Sequence, residues 1–107
     1  MATALGEKVK AERKRLQLTL EQLADRSGSS KSYIWELENR PAIRPSAEKI
    51  SRIADVLGVT TEYLLDDEKQ TPDDTDVDRV FFRRFSKLDD ASKEKLKKIM
   101  EILEDDD

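Results

Sequence analysis

The chain has 107 residues, 36% hydrophobic and 41% charged, with a formal net charge of −4, which leaves room for one small core and an extra segment under a densely charged surface. It contains no cysteine and no histidine, which removes disulfides, thiolate metal sites, the commonest metal ligand and the usual general base. No apolar run approaches the ~20 residues that span a bilayer and the first residues do not form a signal peptide, so the expectation is a cytoplasmic protein that is not an enzyme, with no cofactor and no metal.

In chain order, residues 3 to about 16 read as a helix. Leu5, Val9 and Leu16 fall near one face, and Lys8, Lys10, Lys14 and Arg15 cover the rest. Thr19 suits an N-cap, with Gln22 in capping-box position, and the helix it opens buries Leu20, Leu23 and Ala24. Gly28 ends it, and Ser29 or Ser30 caps the next helix, over 30–39. There Tyr33, Ile34 and Leu37 share the apolar side, while Lys31, Ser32, Trp35, Glu36 and Asn39 project elsewhere. Pro41 and Pro45 bracket a loop containing Ile43 and Arg44. Ser46 caps a fourth helix with the stripe Ile50, Ile53, Ala54 and Leu57, stopped by Gly58. Thr60 or Thr61 starts a short fifth helix bearing Tyr63, Leu64 and Leu65. No strand pattern appears, so residues 1–66 are expected to form an all-α globule.

The stretch DDEKQTPDDTD from Asp66 has no apolar residue apart from Pro72. It predicts a flexible acidic linker over 67–76. Residues 77–107 then carry two amphipathic helices, a hairpin segment. The first bears Val77, Val80, Phe81, Phe82 and Phe85. Leu88 with Asp89 or Asp90 has the form of a hydrophobic staple and cap. The second helix places Leu96, Ile99, Met100 and Leu103 at i, i+3, i+4 and i+7, and residues 104–107 are an acidic run expected to fray. Charge divides along the same line: residues 1–65 hold 11 Lys/Arg against 9 Asp/Glu, and residues 66–107 hold 9 against 15.

Residues 5–65 resemble the phage-repressor and Cro-type (XRE) helix-turn-helix domain. The likeness lies in LTLEQLADRSGSSKSYIWELENR and the trailing RPSAEKISRIADVLGVTTEYLL. It implies a five-helix lambda-repressor-like fold, with 20–26 as the first helix of the motif and 30–39 as the recognition helix. It also implies a partly buried structural ion pair between Arg13 and Glu38. The base-reading candidates are then Ser30, Lys31, Ser32 and Glu36: Lys donates to guanine, Ser reads several edges, and Glu accepts from cytosine. For Lys31 and Ser32 this outweighs the alternative of a solvated helix face; for Glu36 the two readings balance, because a carboxylate repels phosphates. Backbone contacts are expected from Tyr33, Asn39, Arg40 and Arg44, and from the N-terminus of the motif's first helix. Tyr33 has a competing reading as a core ring with its hydroxyl at the rim. Trp35 either packs between the recognition helix and the following loop, the preferred reading, or touches a sugar or thymine methyl. The family's frequent Gln after the first motif cap is replaced here by Leu20, so that contact does not transfer.

The resemblance implies a sequence-specific transcriptional repressor. A 60-residue reader recognises few base pairs alone, and pairing on an inverted-repeat operator of double-stranded DNA extends the site. Val80, Phe81, Phe85, Leu96, Ile99, Met100 and Leu103 are the expected interface of a homodimer, although the same hairpin could instead fold back on its own domain. Lys93, Lys95, Lys97 and Lys98 read as its solvated face. The alternative function is an antitoxin or interaction module, because similar regulators bind a toxin or a regulatory metalloprotease through such a segment. Either protein would work in the cytoplasm, associated with the nucleoid.

Overall fold

Every helix among the described residues starts on a short hydroxyl or carboxylate side chain that accepts a hydrogen bond from the backbone N–H three residues on. Seven α-helices occupy residues 3–41 and 44–105, the part of the chain that the computed structural model describes: α1 Ala4–Arg15, α2 Leu20–Ser27, α3 Lys31–Asn39, α4 Ala47–Leu57, α5 Thr61–Leu65, α6 Asp74–Ser86 and α7 Asp90–Glu104. Their N-caps are Thr3, Thr19, Ser30, Ser46, Thr60, Asp73 and Asp89. Gly28 (φ 73°) and Gly58 (φ 71°) end α2 and α4 in the left-handed region, where a side chain would be strained. Among the described residues there is no strand, and no helix is long and apolar enough to cross a membrane. Ile43, expected in the loop beside Arg44, lies outside the described residues, as do residues 106 and 107 of the acidic run.

The core is built by the first five helices. Val9, Leu23, Ala24, Ile34, Leu37, Ile50, Ile53, Ala54, Leu57, Val59, Tyr63 and Leu64 form one buried cluster, with Leu5, Leu20, Tyr33 and Val56 packed against it. α2 and α3 pack on each other, and α1 and α4 close the globule around them.

The ends of α1 depart from the sequence reading. Leu16 is exposed, because α1 stops at Arg15 and Gln17 takes a left-handed φ of 58°. Leu18 is buried in its place. Lys8 does not join the solvated face either. Its Nζ donates to the Tyr63 carbonyl at 2.8 Å and to the Asp66 carbonyl, and sits 4.3 Å over the Tyr63 ring. The last carbonyls of a helix have no partner within it, and Lys8 supplies one for the end of α5.

The segment after α5 is tied down at several points. The Asp66 carboxylate accepts from the N–H groups of Glu68 and Lys69, and the Tyr63 hydroxyl donates to the Gln70 carbonyl. Asp73 and Asp76 form a capping box that opens α6 at Asp74, inside the stretch expected to be linker. Lys69 bonds to both carboxylates and holds the Asp73 carboxyl down to about 2.

α6 meets the five-helix globule through polar groups. The Thr60 hydroxyl donates to Asp76 at 3.2 Å, Arg83 pairs with Asp55 at 3.1 Å and donates to the Val59 carbonyl, and Lys87 reaches Asp55 at 3.1 Å. Of all the residues in α6 and α7, only Asp76 is buried. The Leu88 staple does not form, because the fourth position of α7 is Lys93, which lies over the Phe85 ring instead, and Leu88 stays exposed.

Gly6 brings α1 directly against the backbone of α3. A Cβ there would stand 2.5 Å from the Leu37 carbonyl oxygen and 2.9 Å from that of Glu38. Both are rigid backbone atoms of α3, so α1 would have to move outward. Gly6→Ala should therefore destabilise the fold by about 1–3 kcal/mol, read as a lowered thermal midpoint; an unchanged midpoint would mean that α1 and α3 separate at no cost.

Candidate nucleic-acid interface

The turn between α2 and α3 is short and held by several hydrogen bonds. Gly28 caps α2, the Ser29 N–H bonds to the Ala24 carbonyl at 2.8 Å, and the Ser27 hydroxyl donates back to the Leu23 carbonyl. Ser30 then accepts from the Tyr33 N–H at 3.0 Å and opens α3. A two-helix unit with a three-residue turn containing glycine results.

α3 is two-sided. Ile34, Leu37 and Glu38 are buried. The buried carboxylate is met by a guanidinium from α1: Arg13 Nε lies 2.7 Å from Glu38 Oε2 and Nη2 lies 2.9 Å from Oε1. The third nitrogen, Nη1, donates to the Leu18 carbonyl at 2.9 Å. One side chain thus binds α1, the turn before α2 and α3, and the Glu38 hydrogen bonds raise the Arg13 pKa, keeping it charged.

Burying Glu38 turns the opposite stripe outward. Ser32, Trp35, Glu36 and Asn39 stand at i, i+3, i+4 and i+7 on that side, with Lys31 at its edge. Lys31, Ser32 and Trp35 are exposed; Glu36 and Asn39 are half-buried. Ser30 is exposed, and its oxygen is engaged in capping. Asn39 donates through Nδ2 to the Trp35 carbonyl at 2.8 Å.

The backbone-contact candidates divide. Arg40 and Arg44 are exposed on the segment after α3. Tyr33 is packed against the core, burial pushes its phenol pKa up, and Lys49 of α4 lies 4.2 Å over its ring. Its ring is therefore a rim residue of the core. Gln22 spends its side-chain oxygen on the Thr19 N–H in the capping box of α2.

Lys49 was not singled out from the sequence, and Trp35 departs from its preferred reading. Lys49 adds a cation beside α3 although nothing in its local pattern links it to Tyr33. Trp35 was expected to pack; it is 45% exposed, with the Arg40 guanidinium 5.7 Å from its ring centre. The signal was available in its spacing, three after Ser32 and four before Asn39.

This arrangement is that of a helix-turn-helix DNA-binding domain. The helix-turn-helix family model matches residues 9–64. The chain belongs to the XRE-type helix-turn-helix family of DNA-binding transcriptional regulators. It is 31% identical over 74 residues to the HTH-type transcriptional regulator SinR of Bacillus subtilis strain 168, covering 69% of this chain and 67% of SinR. A crystal structure of SinR in complex with DNA superposes with a TM-score of 0.55 at 32% identity, covering 58% of this chain and 98% of that one. A structure of the SinR–SinI complex covers 94% of this chain and 97% of its own at a TM-score of 0.58, with 24% identity, a likeness of fold that extends across α6 and α7.

Removing one partner of the buried pair should be more damaging than removing both. Arg13→Leu leaves Glu38 buried and uncompensated and should cost about 3–5 kcal/mol. Arg13→Leu with Glu38→Leu should recover most of that loss. Urea unfolding of the two single variants and the double variant measures the coupling; additive losses would show that the two side chains act independently.

Proposed function

We propose that the protein is a sequence-specific double-stranded DNA-binding transcriptional repressor that binds an inverted-repeat operator as a homodimer, with α3 in the major groove. The observation that carries this reading is the outward stripe of α3, fixed in rotation by the Arg13–Glu38 pair. Lys31 and Ser32 would read base edges, joined by Ser30 and Glu36. Asn39, Arg40 and Arg44 would meet the sugar–phosphate backbone, joined by the hydroxyl of Tyr33, whose ring belongs to the core. SinR bound to DNA supports the same use of the domain here. The reading implies work in the cytoplasm on nucleoid DNA.

Residues 1–66 would then be the reading unit, the segment beginning at Asp67 a linker, and residues 77–107 the pairing unit. α6 and α7 carry a larger open apolar surface than a solvated tail needs: Val77, Phe81, Phe82, Ile99, Met100, Ile102 and Leu103 are all exposed. Val80, Phe85 and Leu96 are half-buried beside them. The same surface favours a second reading, in which it binds a different protein. SinR in complex with SinI lends that reading support; a toxin or a regulatory metalloprotease would be such a partner.

Selection from random duplex DNA at about 0.15 M salt by the full-length protein should enrich an inverted repeat with half-sites about ten base pairs apart. Lys31→Ala with Ser32→Ala should abolish that preference while helix content stays constant. An unaltered preference would remove α3 from base reading.

The pairing unit is tested separately. Ile99→Glu with Leu103→Glu should sediment as a monomer and bind the selected operator at least about a hundredfold more weakly, as the second half-site no longer adds avidity. A dimer that survives both charges would move the interface elsewhere.

A further inference from the structure

We infer that Trp35 is a specificity-determining residue that reads the 5-methyl group of a thymine in each half-site. The inference rests on α3 being the element that enters the groove, and it adds an apolar reader to a face otherwise made of polar groups. Three observations support it. Trp35 shares the outward stripe with Ser32, Glu36 and Asn39, so any groove that admits those side chains also receives the indole. The indole is 45% exposed, and the Arg40 guanidinium lies 5.7 Å from its ring centre. That cation lies over the ring, close to where α3 ends and a phosphate contact from Arg40 would fall, and nearly half of the indole surface stays open. Finally, the major-groove edge of thymine presents one apolar feature, its methyl group, and apolar side chains recognise it by contact. Glu36, the neighbour of Trp35 on the stripe, favours a cytosine amino group and has nothing to gain from a thymine.

The position of that thymine follows from helix geometry. Trp35 lies three to four residues beyond Lys31 and Ser32, or about 5 Å along α3 at ~1.5 Å per residue. Base pairs stack ~3.4 Å apart. The thymine should therefore stand one or two steps from the base pair that Lys31 and Ser32 contact.

The experiment uses the full chain, the duplex it selects, and versions of that duplex with uracil replacing each thymine in turn, which deletes the methyl and changes nothing else. One thymine per half-site should be sensitive, with about a fourfold loss of affinity, the size expected for one buried methyl. Trp35→Ala should bind the thymine and uracil duplexes equally, and Trp35→Phe, which retains an apolar edge, should restore part of the difference. Trp35 is the only tryptophan of the chain, so its emission reports the contact directly: it should shift with the selected duplex and remain unchanged with a duplex of unrelated sequence. Absence of any uracil-sensitive thymine, or equal sensitivity in wild type and Trp35→Ala, would overturn the proposal. Failure of the underlying reading is distinguishable, because the Lys31→Ala, Ser32→Ala variant would then keep its sequence preference.

Discussion

One guanidinium fixes the geometry on which this fold's binding face depends. Arg13 forks the Glu38 carboxylate with two short hydrogen bonds and gives its third nitrogen to the Leu18 carbonyl. α3 has nine residues, too few to be stable as an isolated helix. Its packing against α1 and α2 makes it helical, and the buried carboxylate sets its rotation about its own axis. A buried ion pair is weak evidence for stability, since desolvation offsets most of the attraction. Its effect here is geometric: with Glu38 turned inward, Ser32, Trp35, Glu36 and Asn39 have to face outward. Gly6 serves the same end, letting α1 come close enough to the α3 backbone for Arg13 to reach.

The molecule uses two kinds of contact for two kinds of joint. Inside the first five helices the elements meet mainly through apolar side chains, and the buried Arg13–Glu38 pair is joined by two hydrogen bonds. Between that globule and α6 the joint is made of charge: Asp55 with Arg83 and Lys87, and Asp76 with Thr60 and Lys69. Exposed ion pairs contribute little and are screened by salt. Val77, Phe81 and Phe82 of α6 and Ile99, Met100, Ile102 and Leu103 of α7 stay exposed beside this joint. A segment that touches its own domain by charge and keeps its apolar residues outward is suited to pairing with another chain.

The binding face is cationic only locally. The whole chain is acidic, and Glu36 stands in the middle of the outward stripe. Lys31 stands at the edge of that stripe, Arg40 lies over the Trp35 ring at the end of α3, and Lys49 of α4 lies over the Tyr33 ring. On the proposed reading such a face would meet phosphates through its flanking cations and would turn the Glu36 carboxylate to the groove floor, which offers donors and methyl groups in place of phosphate oxygens.

The local signals were legible in the sequence. Caps at Thr19, Ser46 and Thr60, glycine stops at 28 and 58, and the stripe of Ile50, Ile53, Ala54 and Leu57 each depend on a few neighbouring residues. Those interactions close within one turn of chain, so the helices and their inner faces follow from order alone. What only the tertiary structure decided are the partners that meet across it. Lys8 looked like a surface lysine until the end of α5 arrived beside it, 55 residues away, with a carbonyl to satisfy. Leu16 lost its place to Leu18 because the turn needed a left-handed residue at Gln17. Trp35 looked like a packing residue by composition, yet the rotation of α3 imposed by Glu38 carried it outward. Hydrophobic periodicity encodes which side of a helix is inside; which distant group meets a buried charge depends on how separate helices dock, and no short stretch of sequence contains that.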